Sequence, residues 1–368
     1  MSRTGRVSKP VRNLGFVRVR VRPWLGGPAV NLRELAQHLG LSKTTVSRAL
    51  NGFSEVNEET RLRVVEAARR FNYTPNVSAK RLATGETGAF GVVLPGASAE
   101  MADPVFGEFL AGLADGAGRC GRDLYVNATF DGEEAGYRRL ARAKAVDVMI
   151  LANLKIDDLR IRLLSHLGLQ TVTCGRTAGS LIYPHLDIDH EDGVRRAVEL
   201  LAGLGHRTIA LVSGPADLSA SEQRMVGWHA ALSRHGLSAA AHLFTAGPST
   251  EGHGYRATRA LLDAPTPPTA FVCASMFLAS GCCRAIGDRG LRIGEDVSII
   301  AHDDGLATVR PEAFEPALTT TFSSIRAAGI RVAELAAQLV GGSDPADLTE
   351  VWPVDLIFRD SAQAPPRR

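Results

Sequence analysis

The chain has 368 residues, 45% of them hydrophobic and 22% charged, with a net charge of +3. That length exceeds one ordinary domain, and the balance is that of a soluble globular protein rather than a disordered or fibrous one. No apolar run reaches the length of a membrane span, and five cysteines, an odd number without metal-type spacing, argue for reduced thiols in the cytoplasm rather than a disulfide framework.

Residues 1–29 carry seven basic side chains and no acid, with no long apolar segment, so they do not read as a secretory signal. A disordered basic extension is expected, with two alternatives: a start site placed too far upstream, or an arm that grips DNA nonspecifically. From Asn31, a good helix cap, Leu32, Leu35, Ala36 and Leu39 recur at the spacing of one buried stripe. Gly40 ends that helix, Leu41 plugs the turn and Ser42 caps a second helix, in which Val46, Ala49 and Leu50 face inward. Lys43, Thr44, Thr45, Ser47 and Arg48 are left on the outer side, where hydroxyls and cations suit base edges and phosphates. A third helix, capped by Asn57, is expected to bury Leu62, Val65, Ala68 and Phe71. The segment reads as a helix-turn-helix. Charge supports this: residues 1–84 hold sixteen Lys/Arg against five Asp/Glu, a balance of +11 that leaves −8 for the remainder. Binding that weakens steeply with salt follows.

From residue 89 the pattern changes to continuous apolar runs separated by helical stretches: AFGVVLP, a helix near 106–120, DLYVNAT, a helix near 133–144, then VDVMILAN, LQTVTCG, TIALVSG, PTAFVCAS and DVSIIAHDD. Strands of that kind are covered on both faces, which means parallel sheets in an α/β fold. They are too numerous for one small sheet, and LDID at 186–189 and LTTT at 318–321 read as crossings between two lobes. Adjacent Cys282 and Cys283 lie in an apolar helical stretch, which favours buried packing over a redox role.

Ligands of open α/β sheets bind at the carboxyl ends of the strands. Those ends carry Asp103, Phe106, Asn153 and Arg176 in the first lobe, and Asp189, Arg224, Ser275 and Asp303 around the second. Carboxylate, arginine and amide together suit a polyhydroxylated ligand, because each hydroxyl both donates and accepts. Asp189 has a second reading as the cap of a helix starting at His190. His185, Asp187, Asp189 and His190 are weak as metal ligands, since strand alternation aligns only the two acids. No metal and no cofactor is expected. AFGVVLPGAS lacks the spacing of a dinucleotide loop and no GxSxG elbow is present, so an enzyme is not expected either.

SKTTVSRALNG, NYTPN and NVSAKRLATG resemble the recognition helix, third-helix exit and hinge of the LacI family of transcription regulators, and the similarity runs from residue 30 to near the end. It implies a small helical DNA-binding head on a two-lobed domain resembling periplasmic sugar-binding proteins. By position, Lys43 and Thr44 would set operator preference, Ser42, Thr45, Ser47, Arg48, Asn51, Tyr73 and Asn76 would fix backbone register, and Ala79 and Leu82 would belong to a hinge helix. In the family that leucine wedges into the minor groove, where an apolar side chain unstacks and bends the duplex. Arg224 matches the family arginine that reaches the effector, and Asp303 the first of two adjacent aspartates. Ser275 with Met276, His302 and His190 depart from the usual residues at their positions. CGRT, YPHLDID, IAHDD, LTTTFSSI and VWPVDLIFRD look most like the subgroup governing α-glucoside use.

The expected organisation is a basic extension over 1–29, a DNA-binding head over 30–74, hinge and linker over 75–87, an effector and dimerisation domain over 88–360, and a free tail over 361–368. The expected function is a homodimeric, cytoplasmic repressor released from operator DNA by a small sugar, with no membrane partner. A coiled-coil tetramer is not expected, for want of a leucine heptad near the end. The competing class, a sugar receptor with no DNA role, shares the α/β body but leaves residues 1–84 unexplained.

Overall fold

The computed structural model describes residues 30–50, 53, 55–73, 85–95, 103–177, 179 and 181–366. The chain divides into two compact units, Met1–Gly85 and Glu86–Arg368.

The first unit contains α1 (Leu32–Leu39), α2 (Lys43–Leu50) and α3 (Glu58–Arg70). Asn31 opens α1 with a capping box: its side chain accepts from the backbone of Glu34 at 3.1 Å, and the Glu34 carboxylate accepts from the Asn31 amide at 2.9 Å. Gly40 closes α1 at φ 66°, a conformation that favours glycine, and the chain turns into α2. Leu35, Ala36, Val46, Ala49, Val56, Val64 and Ala68 form the core between the three helices. The third helix is rotated from the sequence expectation. Val64, not Leu62, is fully buried, and Leu62 is 61% exposed. Two residues on a helix are separated by roughly 200°, so packing Val64 and Ala68 on α1 and α2 turns Leu62 to the opposite side.

The second unit holds two six-stranded sheets. The first contains β1 (Ala89–Pro95), β2 (Asp123–Thr129), β3 (Val148–Leu151), β4 (Gln170–Cys174), β5 (His185–Ile188) and β11 (Thr349–Trp352), in the order β11-β5-β4-β3-β1-β2. Helices α4 (Pro104–Arg119), α5 (Glu133–Ala143) and α6 (Leu159–His166) connect its strands. The second contains β6 (Ile209–Ser213), β7 (Phe244–Ala246), β8 (Ala270–Cys273), β9 (Ser298–Asp303), β10 (Thr319–Phe322) and β12 (Asp355–Ile357), in the order β12-β10-β9-β8-β6-β7. Its helices are α7 (His190–Gly203), α8 (Ser219–Arg234), α9 (Glu251–Leu262) and α10 (Met276–Gly287). All pairings are parallel except that of β10 with β12. Each sheet therefore reverses its winding once, between β1 and β3 and between β6 and β8, which opens a crevice at the carboxyl ends of its strands.

The chain crosses between lobes three times. After β5 it enters α7, whose Val194, Ala197, Val198 and Leu201 join the second core. After β10 it returns as α11 (Ile325–Val340), which buries Ala328, Val332 and Leu335 in the first core. The third crossing, Pro353–Val354 between β11 and β12, was not expected from the sequence. Nor is the tail free from residue 361. Ser361 is fully buried and donates to the Ile299 carbonyl at 2.7 Å, while the Gln363 amide donates to Ser298 Oγ at 3.0 Å, so polar ladder contacts pin a segment that has no apolar pattern.

Cys282 is buried, with its sulfur 2.6 Å from Thr258 Oγ1 and 3.4 Å from that of Cys273, and Cys283 is half-buried; all five cysteines are free. Among the described residues no helix is long and apolar enough to cross a membrane.

Glycines let helices touch backbone to backbone. A side chain on Gly329 of α11 would run into the Phe109 carbonyl of α4, and one on Gly227 of α8 into the Glu191 carbonyl of α7. Gly329→Ala should lower unfolding stability by about 1–3 kcal/mol, the usual cost of overpacking a tight contact. A urea midpoint unchanged from the parent would contradict this packing.

Candidate functional site

In the head, α2 presents Lys43, Thr44 and Arg48 to solvent, while Thr45 and Ser47 are half-buried. Ser42 Oγ accepts from the Thr45 amide at 3.0 Å and shares a 2.8 Å hydrogen bond with Thr45 Oγ1, so these two hydroxyls secure the start of the helix. Tyr73 packs against the head core, and burial raises its phenol above the ordinary value. Asn51, Asn76, Ala79 and Leu82 lie outside the described residues. A short, well-capped helix with lysine, threonine and arginine outward is suited to a groove lined by phosphates.

In the body, the eight expected cleft residues fall into four kinds. Asp103, Asp189 and Ser275 cap helices: they accept from the amides of Val105 (2.9 Å), Asp192 (2.9 Å) and Leu278 (3.3 Å). The capping reading of Asp189 is thus observed. Phe106 is only 6% exposed and packs against Phe109, so it serves the first core. Asn153 follows β3 at φ 49°, its carbonyl accepting from Arg160 Nη2 at 3.2 Å, and Asp303 accepts from the Gly305 amide at 2.9 Å. Arg176 Nε pairs with Asp187 at 2.8 Å, and Asp187 also accepts from Gln223 Nε2 at 3.2 Å. Arg224 Nη2 donates to His190 Nδ1 at 3.2 Å.

Beside these residues the lobes are bridged directly. Lys155 and Leu218 form one rung of antiparallel ladder. The Ile156 amide donates to the Asp217 carbonyl at 3.1 Å and the Ser219 amide to the Leu154 carbonyl at 2.8 Å. Lys155 and Asp217 add an exposed ion pair at 3.2 Å, and Ser219 Oγ donates to the Arg176 carbonyl at 2.5 Å. This bridge anchors the start of α8, the helix that carries Gln223 and Arg224.

Family models match the chain twice: bacterial regulatory proteins of the lacI family over residues 31–76, and the periplasmic binding protein-like domain over 198–362. The transcriptional regulator AglR of Rhizobium meliloti (strain 1021) is 45% identical over 92% of this chain and 96% of its own. The chain belongs to the LacI family. RafR of Escherichia coli is 33% identical over 88% of this chain and 96% of its own. The crystal structure of the lac repressor dimer bound to operator and an anti-inducer superposes with a TM-score of 0.75 at 27% identity, covering 92% of this chain and all of that one. This LacI-family member is accordingly a transcription regulator with a DNA-binding domain, among relatives that are regulators and not enzymes.

The regulator's cleft also contains groups that the sequence reading passed over or cited only as departures. Asp304, rather than Asp303, is the acid whose charge acts on the arginine: burial pushes it up to about 7, with Arg224 opposing and Asp303 and Asp103 adding. Burial draws Arg224 down to about 10 against the pull of Asp304 and Asp187, and His302 down to about 3, the Arg224 charge adding to the effect. Burial lowers His190 well below its ordinary value, with Arg224 and His302 contributing. At neutral pH both imidazoles are therefore uncharged.

Because the folded-state value of Asp304 lies above its unfolded one, the native state holds the proton longer. Its contribution to stability is complete below about pH 4 and lost as pH rises through about 7. Asp304→Asn should gain melting temperature relative to the parent between pH 5 and pH 8. A difference that stays constant across that interval would show that Asp304 is ionised throughout.

Proposed function

We propose that this regulator is a repressor whose dimer is released from operator DNA when a small sugar of the α-glucoside type occupies the cleft between its lobes. The observation that carries the reading is Arg224. It is a half-buried cation with five donors, and among the described residues its one hydrogen bond goes to an uncharged imidazole and no carboxylate lies within ion-pair distance. A polyhydroxylated ligand offers acceptors to that guanidinium while Asp303, Asp304 and Asn153 accept from its hydroxyls. The α-glucoside assignment rests on the likeness of the CGRT, YPHLDID and IAHDD segments to that subgroup, with AglR and RafR among the relatives.

The dimer follows from the likeness to the lac repressor dimer bound to operator. Two heads would take two half-sites, Lys43 and Thr44 choosing bases and Ser42, Thr45, Ser47, Arg48, Asn51, Tyr73 and Asn76 holding phosphates, with Ala79 and Leu82 in a hinge between them. We keep 30–74 as the head and 75–87 as the hinge and linker, and extend the body beyond 360, since its packing reaches at least Gln363. For the sugar to reverse a 99-to-1 preference it must favour the released state by about 5.5 kcal/mol.

Fluorescence anisotropy with fragments selected from genomic DNA tests this. Maltose, sucrose, trehalose and raffinose are added to the protein–DNA complex, and at least one should release it. Arg224→Ala should keep the parent's operator affinity while requiring at least tenfold more sugar for release. A mutant that responds like the parent would overturn the site. In the same assay Leu82→Ala should weaken operator binding at least tenfold without altering calorimetric sugar binding, and undiminished operator affinity would reject the hinge.

A further inference from the structure

The guanidinium that the proposed effector meets is held by His190, at the end of the first crossing, and His190 rests against His302 of β9. Arg224 Nη2 donates to His190 Nδ1 at 3.2 Å, which requires that nitrogen to be unprotonated and places the ring proton on Nε2. The His190 ring stands edge-on to His302, centroids 5.5 Å apart at 77°. His302 is locked at both nitrogens: Nδ1 hydrogen-bonds Thr321 Oγ1 at 3.0 Å, and Nε2 contacts Ser323 Oγ at 3.2 Å and lies 3.5 Å from Asp304 Oδ1. His190 is the first residue after the first crossing, and Ser323 lies within the second. Val354, from the third, lines the same small cavity as Arg224, His190 and His302. The three places where the chain passes between lobes thus supply His190, which bonds Arg224, Ser323, which bonds His302, and Val354, which lines the cavity they share.

We propose that His190, braced by His302, is a positioning residue that fixes the plane of Arg224 for the effector and ties that plane to the inter-lobe crossings. A guanidinium on a flexible stem loses rotamer freedom when it binds, and an acceptor that holds it beforehand removes that cost from the binding step. A neutral acceptor does so without cancelling the charge, which a carboxylate in the same place would do. Gly227 sets the distance, since the close approach of α8 to α7 brings Arg224 to His190. The ligand part of the proposal rests on the cleft reading given above; the positioning part does not.

The test uses full-length protein labelled with 15N-arginine, as parent, His190→Asn and His190→Ala, each also with Arg224→Ala to identify the Arg224 signals. An asparagine carboxamide oxygen can stand where Nδ1 accepts. The Arg224 Nη protons should give separate, slowly exchanging signals in the parent and in His190→Asn, and collapse to an averaged signal in His190→Ala. Calorimetric titration with maltose should show at least a tenfold loss of affinity in His190→Ala, less than threefold in His190→Asn, and no further loss from His190→Ala once Arg224 is alanine. Arg224 signals unchanged in His190→Ala, no rescue by asparagine, or losses that simply add would each overturn the proposal. If Arg224→Ala takes up maltose like the parent, the cleft reading fails while the guanidinium signals still decide the positioning role. If the parent takes up no maltose, those signals decide alone.

Discussion

A cation that, among the described residues, has no carboxylate at ion-pair distance is the constraint on which the body of this regulator depends. Removing a charge from water is expensive unless something solvates it, and Arg224 has Asp304 and Asp187 only as more distant compensation. The fold supports it in other ways: α8 starts from the Lys155–Leu218 bridge, lies against α7 through Gly227, and leaves the guanidinium on a neutral imidazole. The bridge reaches the first lobe, and both other contacts are with the start of α7, where the first crossing ends.

The head works by a different economy. Its core is small, and its stability rests on the Asn31 capping box, the Gly40 turn and a few apolar contacts. Lys43, Thr44 and Arg48 consequently stay outside the packing. Charge is separated along the chain, basic in the first 84 residues, where it suits phosphates, and acidic beyond.

Much of this was legible in the sequence because it is local. The polar face of α2, the strands from AFGVVLP to DVSIIAHDD and two of the three crossings follow from spacing within short windows, whereas the short edge strands β7, β11 and β12 were not read. The rotation of α3 does not, because Leu62 and Val64 are both apolar and only contact with α1 and α2 selects between them. The Pro353–Val354 crossing is too short to carry a period, and Ser361 and Gln363 are held by polar bonds that leave no pattern. In the cleft, Arg224 was legible through the family resemblance and Asp303 as a strand-end acid, whereas Asp304 was passed over and His190 and His302 meet only through tertiary structure. Asp103, Asp189 and Ser275 read as ligand groups at strand ends and are observed as helix caps, because a strand end and the start of the next helix coincide in sequence.

The central claim is that a sugar at Arg224 changes how the lobes meet, and that this change frees the DNA. Hydrogen exchange at the Ile156 and Ser219 amides, whose bonds cross between the lobes, reports on it directly. With operator-bound protein, the releasing sugar should alter exchange at both amides over the same concentration range in which the DNA dissociates. Release of the operator with exchange at both amides unchanged would contradict the account.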